Sequence, residues 1–147
     1  MVTYSVTEDQ GGLVEMFIRH GLEFSFDEPL PTDVVKCWKA EEGGRQIGGC
    51  ILALRGGKYV IDGISAEPEY RKQKVGSSLL ALALEEAARR GGREVWLVAR
   101  APGFFRKNGF EARTPEETPE GLFDCPQCPQ FQKECFPEIM QLFLQAS

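Results

Sequence analysis

The sequence holds little that would send the chain into a membrane, onto nucleic acid or into a disulfide framework. Its apolar runs fall well short of the ~20 residues that span a bilayer, and Met1-Val2-Thr3-Tyr4 lacks a basic stretch followed by an apolar one. The expectation is no transmembrane helix, no signal peptide and a cytoplasmic protein. Positive charge is in deficit: 17 Lys and Arg against 22 Asp and Glu leave a net charge of −5, which repels a phosphate backbone and sets nucleic acid aside. Histidine occurs once, as His20, and reads as a helix-end residue rather than a base. Cysteine is odd in number, five residues without secretory context, so a disulfide framework is not expected. Repeats and low-complexity tracts are absent. What remains is ordinary for one compact globular domain over residues 1–147, with 42% hydrophobic and 27% charged residues.

Periodicity divides the chain. Apolar Leu13, Val14, Met16, Phe17 and Ile18 suggest a helix over Glu8–His20, followed by a loop with Pro29 and Pro31. Val34–Ala40 and Gln46–Leu54 read as strands joined through Glu41-Glu42-Gly43-Gly44, a hairpin turn. Gly56-Gly57 turns the chain into a third strand, Lys58–Ala66. Over Gly76–Arg90, residues Leu79, Leu80, Ala83, Leu84 and Ala87 form one apolar helical stripe, with Arg89 and Arg90 at its negative end and Gly91-Gly92 as the cap. Arg93–Ala99 is a strand, Gly103–Lys107 a short helix, and Phe110–Ala112 a further strand. A Cys- and Pro-rich loop follows within 114–147, ending in a last strand, Ile139–Leu144. The order predicts a mixed α/β (α+β) domain.

Chemistry concentrates where the third strand gives way to the long helix. Arg71, Lys72 and Lys74 put three positive charges in one loop of an acidic protein, just before a helix opening at Gly76. The first amides of a helix lack intrahelical partners and, with the dipole behind them, bind phosphate oxygens. Gly76 allows close approach, and Ser77 and Ser78 offer hydroxyls. On charge and glycine alone, a solvated basic turn before an amphipathic helix accounts for this stretch equally well.

A resemblance separates the two. Pro68-Glu69-Tyr70-Arg71, then Gly76 and Leu79-Leu80, resembles the acyl-CoA pyrophosphate motif of the GNAT superfamily: Arg or Gln, two residues, Gly, one residue, then Gly or Ala. Lys74 stands where the first glycine is usual, which either removes a close amide contact or supplies an ammonium to a phosphate. Downstream, Phe104-Phe105-Arg106-Lys107-Asn108-Gly109-Phe110-Glu111 is similar to that family's aromatic pair followed by Gly-Phe. The likeness spans Val34 to Glu111. It implies a mixed, largely antiparallel central sheet flanked by helices and splayed between the fourth and fifth strands. Acetyl-CoA would lie in the split, with the backbone of Ile64, Ser65 and Ala66 pairing with its pantetheine arm. Arg71, Lys72, Gln73, Lys74, Val75, Gly76 and Ser77 would hold the phosphates, and Phe104 and Lys107 would complete the cofactor site. The acceptor implied is a primary amine on a small molecule or peptide, and edge-strand pairing, frequent in the family, leaves a homodimer open.

Acyl transfer to an amine needs a base, a polarised thioester carbonyl and a leaving thiolate. By the resemblance the carbonyl is polarised by a backbone amide near Ala66. The tyrosine that commonly protonates the thiolate is replaced here by Phe105, which carries no proton to give. Asp62, which interrupts the apolar run Tyr59-Val60-Ile61, is the first candidate base; a hydrogen-bonded strand-end aspartate is the plainer alternative. Glu23, Asp27 and Glu28 belong to the first loop, where the family often binds its acceptor, and read as surface charge. Cys125, Cys128 and Cys135 begin with the spacing of a zinc or iron–sulfur knuckle, but a fourth ligand would have to come from Asp124, Cys37 or Cys50. Small apolar anchoring of the loop is the alternative. Two other readings stay open, an acyl-CoA-binding fold without turnover and a metal- or thiol-sensing protein built on that fold.

Overall fold

A computed structural model describes residues 2–8, 13, 33–55, 57–99, 102–114 and 138–144. Among them run seven strands: β1 (Thr3–Val6), β2 (Asp33–Glu42), β3 (Arg45–Arg55), β4 (Lys58–Ala66), β5 (Glu94–Ala99), β6 (Glu111–Arg113) and β7 (Glu138–Phe143). Two helices, α1 (Val75–Arg89) and α2 (Pro102–Lys107), and a 3-10 turn over Pro68–Gln73 complete the described elements. The strands form one sheet in the order β1-β2-β3-β4-β5-β7-β6. Every neighbouring pair is antiparallel except β4 and β5, which α1 joins by a crossover. No helix among the described residues is long and apolar enough to cross a membrane.

The long meander β2-β3-β4 follows from the sequence with one adjustment. Glu41 and Glu42, expected in the turn, extend β2, and the turn shrinks to Gly43-Gly44, both at positive φ (61° and 79°). A two-residue turn with both φ positive matches strand twist, and glycine takes that conformation without strain. Strand β1 was not expected. Its four residues are too short to show alternation, and it exists through pairing with β2, Thr3 opposite Glu41 and Val6 opposite Trp38. The helix expected over Glu8–His20 falls outside the described residues except for Glu8, which is not helical, and Leu13, which is.

Consecutive glycines in β3 show how the layers close. A Cβ at Gly48 would press on Val75 and Leu79 of α1 at 3.0 and 3.1 Å, and a Cβ at Gly49 would collide with the Leu13 side chain on the other face. Successive strand residues face opposite sides, so this pair admits one layer on each. The main core lies between the sheet and α1, where Leu79, Leu80 and Ala83 meet Trp38, Ile47 and Leu52. Burying such side chains contributes about 1.5–3 kcal/mol each for the large ones.

One carboxylate pins the C-terminal end of α1 to the sheet. The Glu86 side chain is only 7% exposed and meets three cations: Arg90 Nε at 2.6 Å, Lys36 Nζ on β2 at 3.2 Å and Arg89 Nη1 at 3.2 Å. The Arg90 bond chiefly holds its carboxyl below the usual carboxylate range, with Lys36 and Arg89 adding to it against burial. A carboxyl lowered in the folded state stabilises the fold above its ordinary titration range, and that contribution is lost as pH falls through the lowered value. Glu86→Gln should cost about 1–2 kcal/mol at pH 7. Thermal melts of both proteins should converge as pH falls through that lowered value.

Candidate active site

Strands β4 and β5 start side by side and then part. Their ladder has two registered pairs, Tyr59 with Val95 and Val60 with Trp96, and stops there. The cause is local to β4. Ile51 of β3 pairs with Gly63 and Leu52 with Ile61, which leaves Asp62 as the extra residue of a β-bulge. Bulges bend and twist a strand, and this one sits directly after the last β4–β5 pair.

Backbone direction past the bulge follows from the same register. Glu67 donates its N–H to the Ile47 carbonyl at 2.8 Å, and antiparallel pairs alternate between bonded and non-bonded. Ser65, opposite Gly49, therefore bonds toward β3, while Ile64 and Ala66 turn their backbone groups toward the split. Of the three residues expected to meet a pantetheine arm, two face the opening and the middle one faces the neighbouring strand.

At the narrow end, polar side chains bind the two arms together. Lys58 of β4 meets Glu94 Oε1 of β5 at 2.8 Å. Glu94 also accepts from Trp96 Nε1 at 3.0 Å and from Gln141 Nε2 at 2.7 Å. Gln141 in turn accepts from Arg113 Nε at 2.9 Å. Burial pushes the Glu94 carboxyl up, but the bonds from Lys58, Trp96 and Gln141 outweigh it and leave it lowered. The network crosses β4, β5, β7 and β6.

The wide end carries the opening turn of α1. Arg71, Lys72 and Gln73 lie in the 3-10 turn, and Lys74 is the N-cap. Lys74 adopts φ 60° and ψ 29°, the left-handed conformation, and is the single non-glycine at positive φ among the described residues. The backbone shape that a glycine would supply is thus retained by a lysine at some steric cost. The first helical bond runs from Ser78 N–H to the Lys74 carbonyl, so the amides of Val75, Gly76 and Ser77 occupy the open turn. No side chain caps this end, and no acidic residue lies in its first turn. Gly76 approaches Phe104 of α2, whose ring lies 3.3 Å from where a Cβ would be. Phe104 packs edge-on against Phe105 at 5.0 Å, and Phe105 against Phe110 at 5.8 Å. Gly76 and Phe104 thus bring the helix that follows β4 against the helix that follows β5.

Chemistry needed at this site is partly absent where the resemblance would put it. Phe105 is buried in the core, and the Tyr70 hydroxyl donates to Glu42 Oε1 at 3.2 Å. Partial burial and the Glu42 charge push the Tyr70 phenol up, so it acts as a tether between the turn and β2. Asp62 Oδ1 accepts from Arg55 Nη2 at 2.6 Å, a partly buried ion pair with side chains 25% and 13% exposed. The guanidinium engages one of the two carboxylate oxygens, so Asp62 takes part in an ion pair across the β3–β4 hairpin. Glu23, Asp27, Glu28 and His20 lie outside the described residues.

Residues 33–112, over half of the chain, match the family described as Acetyltransferase (GNAT) domain. The chain belongs to the GNAT acetyltransferase family. The matched span runs from the first residue of β2 into β6 and includes the split, the basic turn and Phe104. Solved structures agree on the fold. A GNAT-family acetyltransferase from Staphylococcus aureus Mu50 superposes with a TM-score of 0.74 at 13% identity, covering 99% of this chain and 100% of that one. The ribosomal-protein-S18-alanine N-acetyltransferase from Escherichia coli gives 0.68 at 19% identity, covering 100% and 96%. N-acetylglutamate synthase from Neisseria gonorrhoeae, complexed with coenzyme A and N-acetyl-glutamate, gives 0.73 at 16% identity. This GNAT chain covers 35% of that synthase's length, with 99% of itself aligned.

The cysteine question narrows. Cys125, Cys128 and Cys135 lie outside the described residues, and among the described ones no group of three or more His, Cys, Asp or Glu is placed to hold a metal. Cys37 and Cys50, considered as a fourth ligand, are free thiols buried within β2 and β3. Burial pushes both thiols up, helped at Cys37 by the Asp62 charge and at Cys50 by Cys37. A raised thiol gives little thiolate for a metal or an electrophile.

Lys74 offers a direct test of the turn. Lys74→Gly removes the left-handed penalty, about 1 kcal/mol, and should raise the melting temperature by roughly 2–4 °C. An unchanged or lowered melting temperature would show that the lysine is not strained there.

Proposed function

We propose that this GNAT protein is an N-acetyltransferase that moves an acetyl group from acetyl-CoA to the primary amine of a small molecule or peptide. One observation carries the reading: the parted strands and the uncapped, acid-free first turn of α1 lie at the same end of the sheet. A pantetheine arm entering the split beside Ile64 and Ala66 would leave its pyrophosphate at the amides of Val75, Gly76 and Ser77. Arg71, Lys72 and Lys74 would add positive charge there, Gln73 belongs to the same turn, and Phe104 and Lys107 would border the cofactor from α2. The complex of the gonococcal synthase with coenzyme A and N-acetyl-glutamate supports the choice of cosubstrate and acceptor class by analogy of fold.

The amine nitrogen attacks the thioester carbonyl carbon, and the C–N bond forms as electron density moves onto oxygen. A β4 amide near Ala66 would hold that oxyanion. Collapse breaks the C–S bond and releases coenzyme A as thiolate, while the amine proton passes to water or to a base from the acceptor side. Because Phe105 donates nothing, the thiolate takes its proton from solvent. The same feature favours a second reading, acyl-CoA binding without turnover.

Calorimetric titration with acetyl-CoA, with dephospho-CoA and adenosine as controls, tests the cofactor site. Micromolar binding of acetyl-CoA alone is expected, weakened roughly 10- to 100-fold in an Arg71→Ala, Lys72→Ala double variant. Thiol release from acetyl-CoA with a mixed panel of amines then separates transfer from binding alone. Absence of acetyl-CoA binding would refute both readings.

A further inference from the structure

The Arg55–Asp62 pair takes no direct part in the proposed acyl transfer, yet it grips the one residue that decides how β4 presents its backbone. Asp62 is the extra residue of the bulge between the Leu52–Ile61 and Ile51–Gly63 pairs. If the bulge closed and Asp62 entered the ladder, the strand beyond it would slip by one residue against β3. Strand periodicity is two, so such a slip reverses every direction: Gly63 and Ser65 would turn toward the split, and Ile64 and Ala66 toward β3. The identity of the split-facing amides thus depends on the bulge. Arg55, at the far end of β3, reaches along the sheet to bond Asp62 Oδ1 at 2.6 Å in a partly buried setting. Charge-assisted bonds of this length are the strong ones, and burial limits their screening.

We infer that the Arg55–Asp62 ion pair is a positioning device for acyl transfer, locking the β4 bulge so that the split-facing amide of Ile64 meets the thioester carbonyl. The inference rests on the acetyltransferase reading above. Asp62 acts through the backbone it holds and does not touch the acyl group.

The test reads the carbonyl itself and needs no acceptor. Difference infrared spectra of acetyl-CoA labelled with 13C at the carbonyl, bound to the full chain, report the hydrogen bond as a downshift of the thioester stretch. Asp62→Asn keeps the shape but removes the charge, and Arg55→Met removes the donor. Both should lose at least half of the downshift while affinity for coenzyme A, which has no acyl group, stays within about threefold. Arg55→Lys, which keeps a cation in place, should restore most of it. A full downshift in Asp62→Asn and Arg55→Met would overturn the inference. So would an equal loss of coenzyme A and acetyl-CoA binding in step with a lowered melting temperature, since that is the mark of a merely structural pair. If the unaltered protein binds acetyl-CoA with no downshift, the positioning role falls while the cofactor site stands. If it binds no acetyl-CoA at all, the acetyltransferase reading falls and the inference with it.

Discussion

The split in the sheet exists because a parallel ladder stops early. After Tyr59–Val95 and Val60–Trp96, strands β4 and β5 exchange no further registered pairs. Continued pairing would engage the backbone groups of Ile64 that now face the opening. A net hydrogen bond contributes about 1 kcal/mol, so ending a ladder early is a modest cost for a domain whose core lies on both faces of its sheet. The bulge at Asp62 turns β4 aside at the point where pairing ends.

Charge is divided between the two ends. Glu86 and Glu94, each carrying several donors, bind α1 to β2 and β4 to the β5–β7–β6 arm. Both are satisfied carboxylates with lowered titration, suited to holding a frame. At the wide end Arg71 and Lys72 belong to the 3-10 turn before α1 and Lys74 is its N-cap, and Glu69 pairs with Arg45 at 3.2 Å while Glu42 accepts from Tyr70. An anion approaching the first turn of α1 meets no carboxylate within that turn.

Much of this was legible in the residues. The apolar stripe of α1, the three strands before it, the basic turn and Gly76 all follow from local pattern. Other features depend on partners the pattern does not show. β1 is held by β2, and Glu41 and Glu42 are strand residues because Glu41 pairs with both β1 and β3 and Glu42 with Arg45 of β3. The bulge left a trace, since Val60 and Ile61 are both buried and break the alternation before Asp62, but a lone carboxylate after an apolar run reads equally as a base. Its partner Arg55 lies across a hairpin, a distance in space that spacing along β4 does not reveal. Lys74 taught the reverse: the usual glycine is missing, yet the left-handed backbone it would provide is kept.

Strand β7 lies between β5 and β6, though it follows both in the chain. β6 is registered with β7 and with no other strand in the sheet order. During synthesis, then, β1 to β5 can assemble as they emerge, while β6 must wait with its edge exposed until residues 138–143 arrive to bridge it. The second arm is a late and non-local event, of the kind that slows folding and prolongs the exposure of an unpaired strand to other chains.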